Sequence, residues 1–175
     1  IEPWRSDGTP GGTFLLGDLT PGTTSSEITA LGVLNGSLFL AVSDGSSTTL
    51  WKTDGTVSGT QEIGPIPGTY MSGQALGGFL YFPVTYPAAE AELWRTDGTA
   101  AGTQRFLDIN PSGGSWPNVV GRLGDRLLFW ADDGTHGDEP WATDGTIAGT
   151  VLLKDINPGP VSSGVGRPTM NGSTL

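Results

Sequence analysis

The sequence predicts an all-β fold: β-propeller-type repeats of four-stranded antiparallel blades, about four in number, as a ring or as a segment of a longer array. Three observations predict it. The motif W-x-[ST]-D-G-T-x-x-G-T occurs four times within 175 residues. Its tryptophans, Trp4, Trp51, Trp94 and Trp141, are spaced 47, 43 and 47 residues apart, a period in the range of propeller blades. Between motifs, apolar runs of strand length alternate with two-residue turn signals, and no stretch carries a convincing 3.6-residue amphipathic period.

The four copies read "EPWRSDGTPGGT", "TLWKTDGTVSGT", "ELWRTDGTAAGT" and "EPWATDGTIAGT". They define one repeat domain over 1–175, with repeats of approximately 4–50, 51–93, 94–140 and 141–175. The last is incomplete, and residues 1–3 are placed to help complete it. Residues 162–175 and 1–18 are complementary halves of one blade, so a seam sheet is expected if the array closes into a ring.

Each element of a repeat has a local cause. In the third copy, "PNVVGRL" (117–123) is a short run rich in β-branched residues, Gly124-Asp125 turns the chain, and "RLLFWA" follows. The equivalent turns are Asn35-Gly36, Gly77-Gly78 and Asn171-Gly172, all suited to tight hairpins that need positive φ. Strands one and two of a repeat are therefore an antiparallel hairpin. A polar loop follows, "SDGSST" or "DDGTHGDE". "ELWRT" is strand three, with Glu92 and Trp94 on one face and Leu93 and Arg95 on the other. Asp97-Gly98 turns the chain again, and "TQRFLDI" (103–109) is strand four, stopped by Pro111.

The motif reads as a structural staple. Asp7, Asp54, Asp97 and Asp144 accept hydrogen bonds from turn amides, and the next glycine supplies positive φ. Trp51, Trp94 and Trp141 are expected to be mostly buried, each anchoring its sheet against a neighbour. The logic is that of the Asp-box hairpin of sialidase-like propellers, with different spacing. A blade cannot bury its faces alone, so every copy needs the same anchor. A unique catalytic centre would not be copied into every repeat.

The segments "ELWRTDGTAAGT…FLDINP" and "EPWATDGTIAGT…LLKDINPG" resemble the ELWxxDGT repeat proteins, and the resemblance spans essentially the whole chain. Pro3 and Pro140 stand where that family usually has Leu, and the second copy lacks the aspartate of Asp-apolar-x-Pro. The resemblance implies a bacterial secreted or surface location and a repeat architecture, and no particular chemistry.

Composition narrows the function. The formal charge is −10 with eight Lys and Arg, which disfavours nucleic acid and anionic membranes. No apolar run approaches a spanning helix. Cysteine is absent, so disulfides, thiol catalysis and Cys-based zinc sites are excluded.

Candidate ligand contacts lie outside the repeated motif. Trp116, and Tyr70 at roughly the same place one repeat earlier, are aromatic rings at loop rims, suited to stacking on sugar rings. Trp130 reads as core. Asp132, Asp133 and His136 sit in the variable loop "DDGTHGDE". Asp132, Asp133, Asp138 and Glu139 are oxygen donors of the kind calcium prefers, against the simpler reading of a solvated acidic loop. No cofactor is required. No nucleophile elbow accompanies His136, and Glu27, Glu62 and Glu90 form no evident acid pair for glycoside hydrolysis. The expected function is non-enzymatic recognition or adhesion outside the cell, with several similar sites binding polysaccharide or cell-surface glycans. A structural subunit of an extracellular assembly, through self-association, and a glycoside-hydrolase-like propeller domain are the alternatives.

Overall fold

The computed structural model describes residues 2–22, 27–86 and 90–164. Its regular elements are all strands, and all pairings are antiparallel. Among the described residues no helix is long and apolar enough to cross a membrane. The Asn171-Gly172 turn and most of the C-terminal half of the expected seam sheet lie outside the described residues.

The repeats fold into successive sheets. β1 (Trp4–Arg5) and β2 (Phe14–Leu15) make a two-stranded first sheet. The second sheet runs β3 (Glu27–Leu34), β4 (Ser37–Ser43), β5 (Thr48–Thr53), β6 (Gln61–Ile66) in spatial order. The third is built on β9 (Phe79–Thr85). This strand pairs with β7 (Thr69–Tyr70) and β8 (Gln74–Leu76) on one side and with β10 (Ala91–Thr96) on the other; β11 (Gln104–Leu107) follows β10. The fourth runs β12 (Asn118–Leu123), β13 (Arg126–Asp132), β14 (Asp138–Thr143), β15 (Val151–Leu152).

The hairpin turns follow from their residues. Asn35 and Gly36 have φ of 50° and 81°, and Gly77 and Gly78 have 59° and 84°, the two positive values that a type I′ turn needs. Gly124 alone is positive in the third turn, at 61°, as in type II′.

Register assigns the faces. Trp51 is opposite Leu40, Trp94 opposite Phe82, and Trp141 opposite Phe129. Each tryptophan thus shares a face with strand-two residues, and each packs toward the sheet before it. Trp51 joins Leu19, Leu40 and Val42; Trp94 joins the cluster of Leu50, Ile66 and Phe82; Trp141 joins that of Tyr81, Phe106 and Phe129. The core therefore lies in layers between consecutive sheets, as sheet-on-sheet packing requires.

Trp51, Trp94 and Trp141 are mostly buried, whereas Trp4 is 63% exposed. One expectation needs correction. Strand four is shorter than read: β11 ends at Leu107 and β15 at Leu152, because Asp-Ile-Asn-Pro leaves the sheet. Trp130 is core, at 7% exposure.

Candidate functional site

The repeated motif is a closed hydrogen-bonded corner, built four times to one plan. In the third copy, Asp97 Oδ1 accepts from the Thr99 amide at 2.9 Å and the Thr99 hydroxyl at 2.7 Å. The Gly98 amide donates to Thr96 Oγ1, the Gly102 amide to Thr99 Oγ1, and the Thr103 hydroxyl to the Thr99 carbonyl. The same bonds surround Asp7, Asp54 and Asp144. The second glycine is explained by space: a Cβ on Gly12, Gly59, Gly102 or Gly149 would overlap the carboxylate of Asp7, Asp54, Asp97 or Asp144. Bonds from the threonine hydroxyl, then from its amide, hold all four aspartates below the usual carboxylate pKa. In each corner Oδ1 takes both of these bonds, which gives the motif a structural role.

The loop carrying Asp132, Asp133 and His136 is also a turn, and the second sheet has its counterpart. Asp133 Oδ1 accepts from the amides of Thr135 and His136, just as Asp44 Oδ1 accepts from Ser46 and Ser47. His136 Nδ1 lies 2.7 Å from Asp133 Oδ2, and this hydrogen bond raises the imidazole pKa. Asp132 stands opposite Asp138. Burial first, and then the charges of Asp132 and Glu139, raise the Asp138 pKa. Glu139 is fully buried and turned away, accepting from the amides of Ile156 and Asn157. Asp132 accepts from the Gly134 amide, so Asp132, Asp133 and Glu139 each already bond local backbone amides. Among the described residues no group of three or more His, Cys, Asp or Glu is arranged to hold a metal.

Trp116 is different. Its indole is 51% exposed, and its φ is 49°, a left-handed conformation rare for a bulky residue. The residues before it form a pedestal. Ser115, fully buried, donates its hydroxyl to Glu92 Oε2 at 2.7 Å and its amide to Glu92 Oε1 at 3.2 Å. The amides of Ser115 and Trp116 both reach the Ala91 carbonyl. Gly114 packs so tightly that a Cβ would collide with the backbone of Glu90 and Ala91. Burial raises the Glu92 pKa, while the Ser115 bonds oppose the rise. Tyr70, by contrast, is half-buried; its hydroxyl donates to the Ile66 carbonyl at 2.7 Å, and burial pushes its pKa up to about 12. Tyr70 lines a small cleft with Glu27, Thr29 and Thr69, so the two aromatic candidates do not converge.

Sequence reasoning missed the glutamate two residues before the repeat tryptophan. Glu2 accepts from the Leu19 amide, Glu92 from Ser115, and Glu139 from Ile156 and Asn157. The carboxylate replaces strand pairing for chain that has left the sheet. Its presence in three of four copies was the available signal. The second copy has Thr49 there, and β6 instead stays paired through Pro65 and Ile66.

That substitution coincides with a cavity of about 230 Å³ between the second sheet and the segment that follows β2, lined by Leu19, Thr20, Pro21, Val42, Asp44, Ser47, Thr49, Trp51 and Glu62. No protein-family model matches the chain, and a search of curated proteins finds no significant match.

Proposed function

We propose that this chain is a non-enzymatic recognition module acting outside the cell, a propeller-type array whose loops bind polysaccharide or cell-surface glycans. The observation that carries the reading is Trp116: a large, half-exposed indole held in a costly backbone conformation by buried hydrogen bonds. Such strain persists only where surrounding structure over-determines it, and it clusters at functional sites. A rigid exposed aromatic is the surface a sugar ring stacks on, and the repeats offer valency. The successive antiparallel sheets, packed in chain order, and the resemblance to ELWxxDGT repeat proteins support the propeller-type architecture and the extracellular setting.

The test is a glycan array with the wild-type chain and Trp116→Ala, run beside a hydrolysis assay on the bound sugars. Binding that is lost in the variant, without turnover in either protein, is the expected result. Turnover abolished by changing a single carboxylate would replace this reading with a glycosidase. The exposure of Trp4, on the face by which the other repeat tryptophans pack, favours assembly as a second reading; a concentration-dependent mass that Trp4→Ala abolishes would support it.

A further inference from the structure

We propose a second ligand site, for a neutral saccharide, in the cleft between the second sheet and the segment that follows β2, with Trp51 as its floor. The register places Val42, Thr49, Trp51 and Glu62 on one face of the second sheet: Thr49 is opposite Val42, and Trp51 is opposite both Leu40 and Glu62. Leu19, Thr20 and Pro21 form the facing wall, and Asp44 and Ser47 the rim. The cavity of about 230 Å³ lies below the size of drug-like pockets and suits a single pyranose ring.

Comparison between repeats shows why this cleft is open. In the third and fourth sheets the position two before the tryptophan is a buried glutamate that ties down departing chain. In the second sheet β6 remains paired, that task disappears, and the short Thr49 leaves the space free. The indoles differ in the same way. Trp94 Nε1 donates to the Tyr86 hydroxyl at 2.8 Å, and Trp141 Nε1 to the Ala131 carbonyl at 3.1 Å. Among the described residues, Trp51 Nε1 has no such acceptor, yet its ring lines the cavity.

The lining selects the ligand. Among the described residues it offers one indole face, the exposed Glu62 carboxylate, the Thr49 hydroxyl and no Lys, Arg or His, while Asp44 at the rim already accepts from the amides of Ser46 and Ser47 and from the Ser47 hydroxyl. Carboxylates accept strongly from sugar hydroxyls, and an indole takes the apolar face of the ring. The same carboxylates repel uronates, sulfated sugars and phosphate. This site is separate from Trp116 and does not depend on it.

The experiment is a titration of the full chain with cellohexaose, maltohexaose and mannohexaose, and in parallel with trigalacturonate and calcium chloride. The readout is the Trp51 indole N–H resonance, assigned by its loss in Trp51→Phe. The proposal expects a neutral hexasaccharide to shift this resonance, with trigalacturonate and calcium leaving it unmoved. Thr49→Glu restores the glutamate of the other repeats and fills the cleft; Glu62→Ala removes an exposed acceptor. Each is expected to weaken the response about tenfold, the size of a single good contact, with Trp116→Ala leaving it intact. If Thr49→Glu does not fold, Glu62→Ala decides alone. No response to any neutral sugar, an equal response to trigalacturonate, a response to calcium, or wild-type binding in a folded Thr49→Glu would each overturn the site. Loss of array binding in Trp116→Ala with an unmoved Trp51 resonance would retain the first site and reject this one.

Discussion

Lys52 Nζ donates to the carbonyl oxygen of Gly98 at 3.2 Å, from the second sheet to the aspartate corner of the third. Arg5 makes the same contact with Gly55 and Arg95 with Gly145. The residue after each repeat tryptophan points the opposite way from the indole, because strand side chains alternate. The tryptophan thus grips the preceding sheet and the base grips the following one. The fourth copy has Ala142, fully buried, at this position.

The three bases are not equal. Arg95 also lies over the rings of Phe79 and Phe106, at 4.4 and 5.2 Å from their centroids. Arg95→Ala loses a cation–π sandwich and aliphatic packing, and is expected to cost about 2 kcal/mol. Lys52→Ala loses one hydrogen bond from a well-hydrated ammonium and is expected to cost under about 1 kcal/mol. Urea unfolding of both variants checks the order; equal losses would remove the ring contacts from the account.

The aspartate corners make a coupling prediction. Gly102→Ala drives a methyl into the Asp97 carboxylate, an overpacking expected to cost about 1–3 kcal/mol. In an Asp97→Ala background the clash is gone, so the same substitution should cost much less. A double-mutant cycle measures the difference. Additive effects would mean that the second glycine of the motif is required for some other reason.

The corners also set the acid limit. Their pKa values are lowered in the folded chain, so their stabilisation is complete above the unfolded value of 3.8 and is lost as pH falls through the folded one. Glu92 has the opposite sign. Its pKa is raised above 4.5, so between that value and the folded one its contribution declines as pH rises. Melting temperature measured from about pH 2 to 6 should fall steeply on the acid side. Replacing the corner aspartates by asparagine should flatten that fall, and Glu92→Gln should leave it in place. An acid limb unchanged in the asparagine variants would place the sensitivity elsewhere.

Much of this fold was legible because it is local. Trp, Asp, Gly and Thr at fixed spacing specify a corner whose bonds stay within about ten residues, and Asn35-Gly36 specifies its own turn. What was not legible is what crosses between segments. Glu92 reads as one more alternating strand residue until Ser115, distant in sequence, is folded onto it. Arg95 reads only as sharing a face with Leu93, and neither it nor Lys52 shows a partner until the next sheet supplies Gly145 and Gly98. The loop aspartates suggested a metal because composition shows donors and conceals their existing partners: Asp133 is committed to its own turn, and Glu139 to the amides of Ile156 and Asn157. Trp116 was legible as an exposed ring, but its left-handed backbone was not.

That backbone gives the last prediction. A non-glycine residue in the left-handed region pays about 1–2 kcal/mol, and Trp116 does so with its indole half-exposed. If packing of the ring compensated the strain, every truncation would destabilise. If the ring is instead kept for a ligand, removing the strain should help the free protein. Trp116→Gly is therefore expected to be more stable than Trp116→Ala by about 1 kcal/mol, and close to or above the wild type. Both variants should lose glycan binding to the same degree, since neither carries an aromatic face. Glu92→Ala should separate pedestal from platform: it leaves the buried Ser115 amide and hydroxyl with the Ala91 carbonyl as their remaining acceptor, expected to cost about 1–2 kcal/mol, while the Trp116 indole remains but loses its fixed orientation. Thermal melts and glycan titrations on the three variants give the readout. A Trp116→Gly chain less stable than Trp116→Ala would show that the left-handed conformation carries no penalty here, and the ring would then be part of the fold.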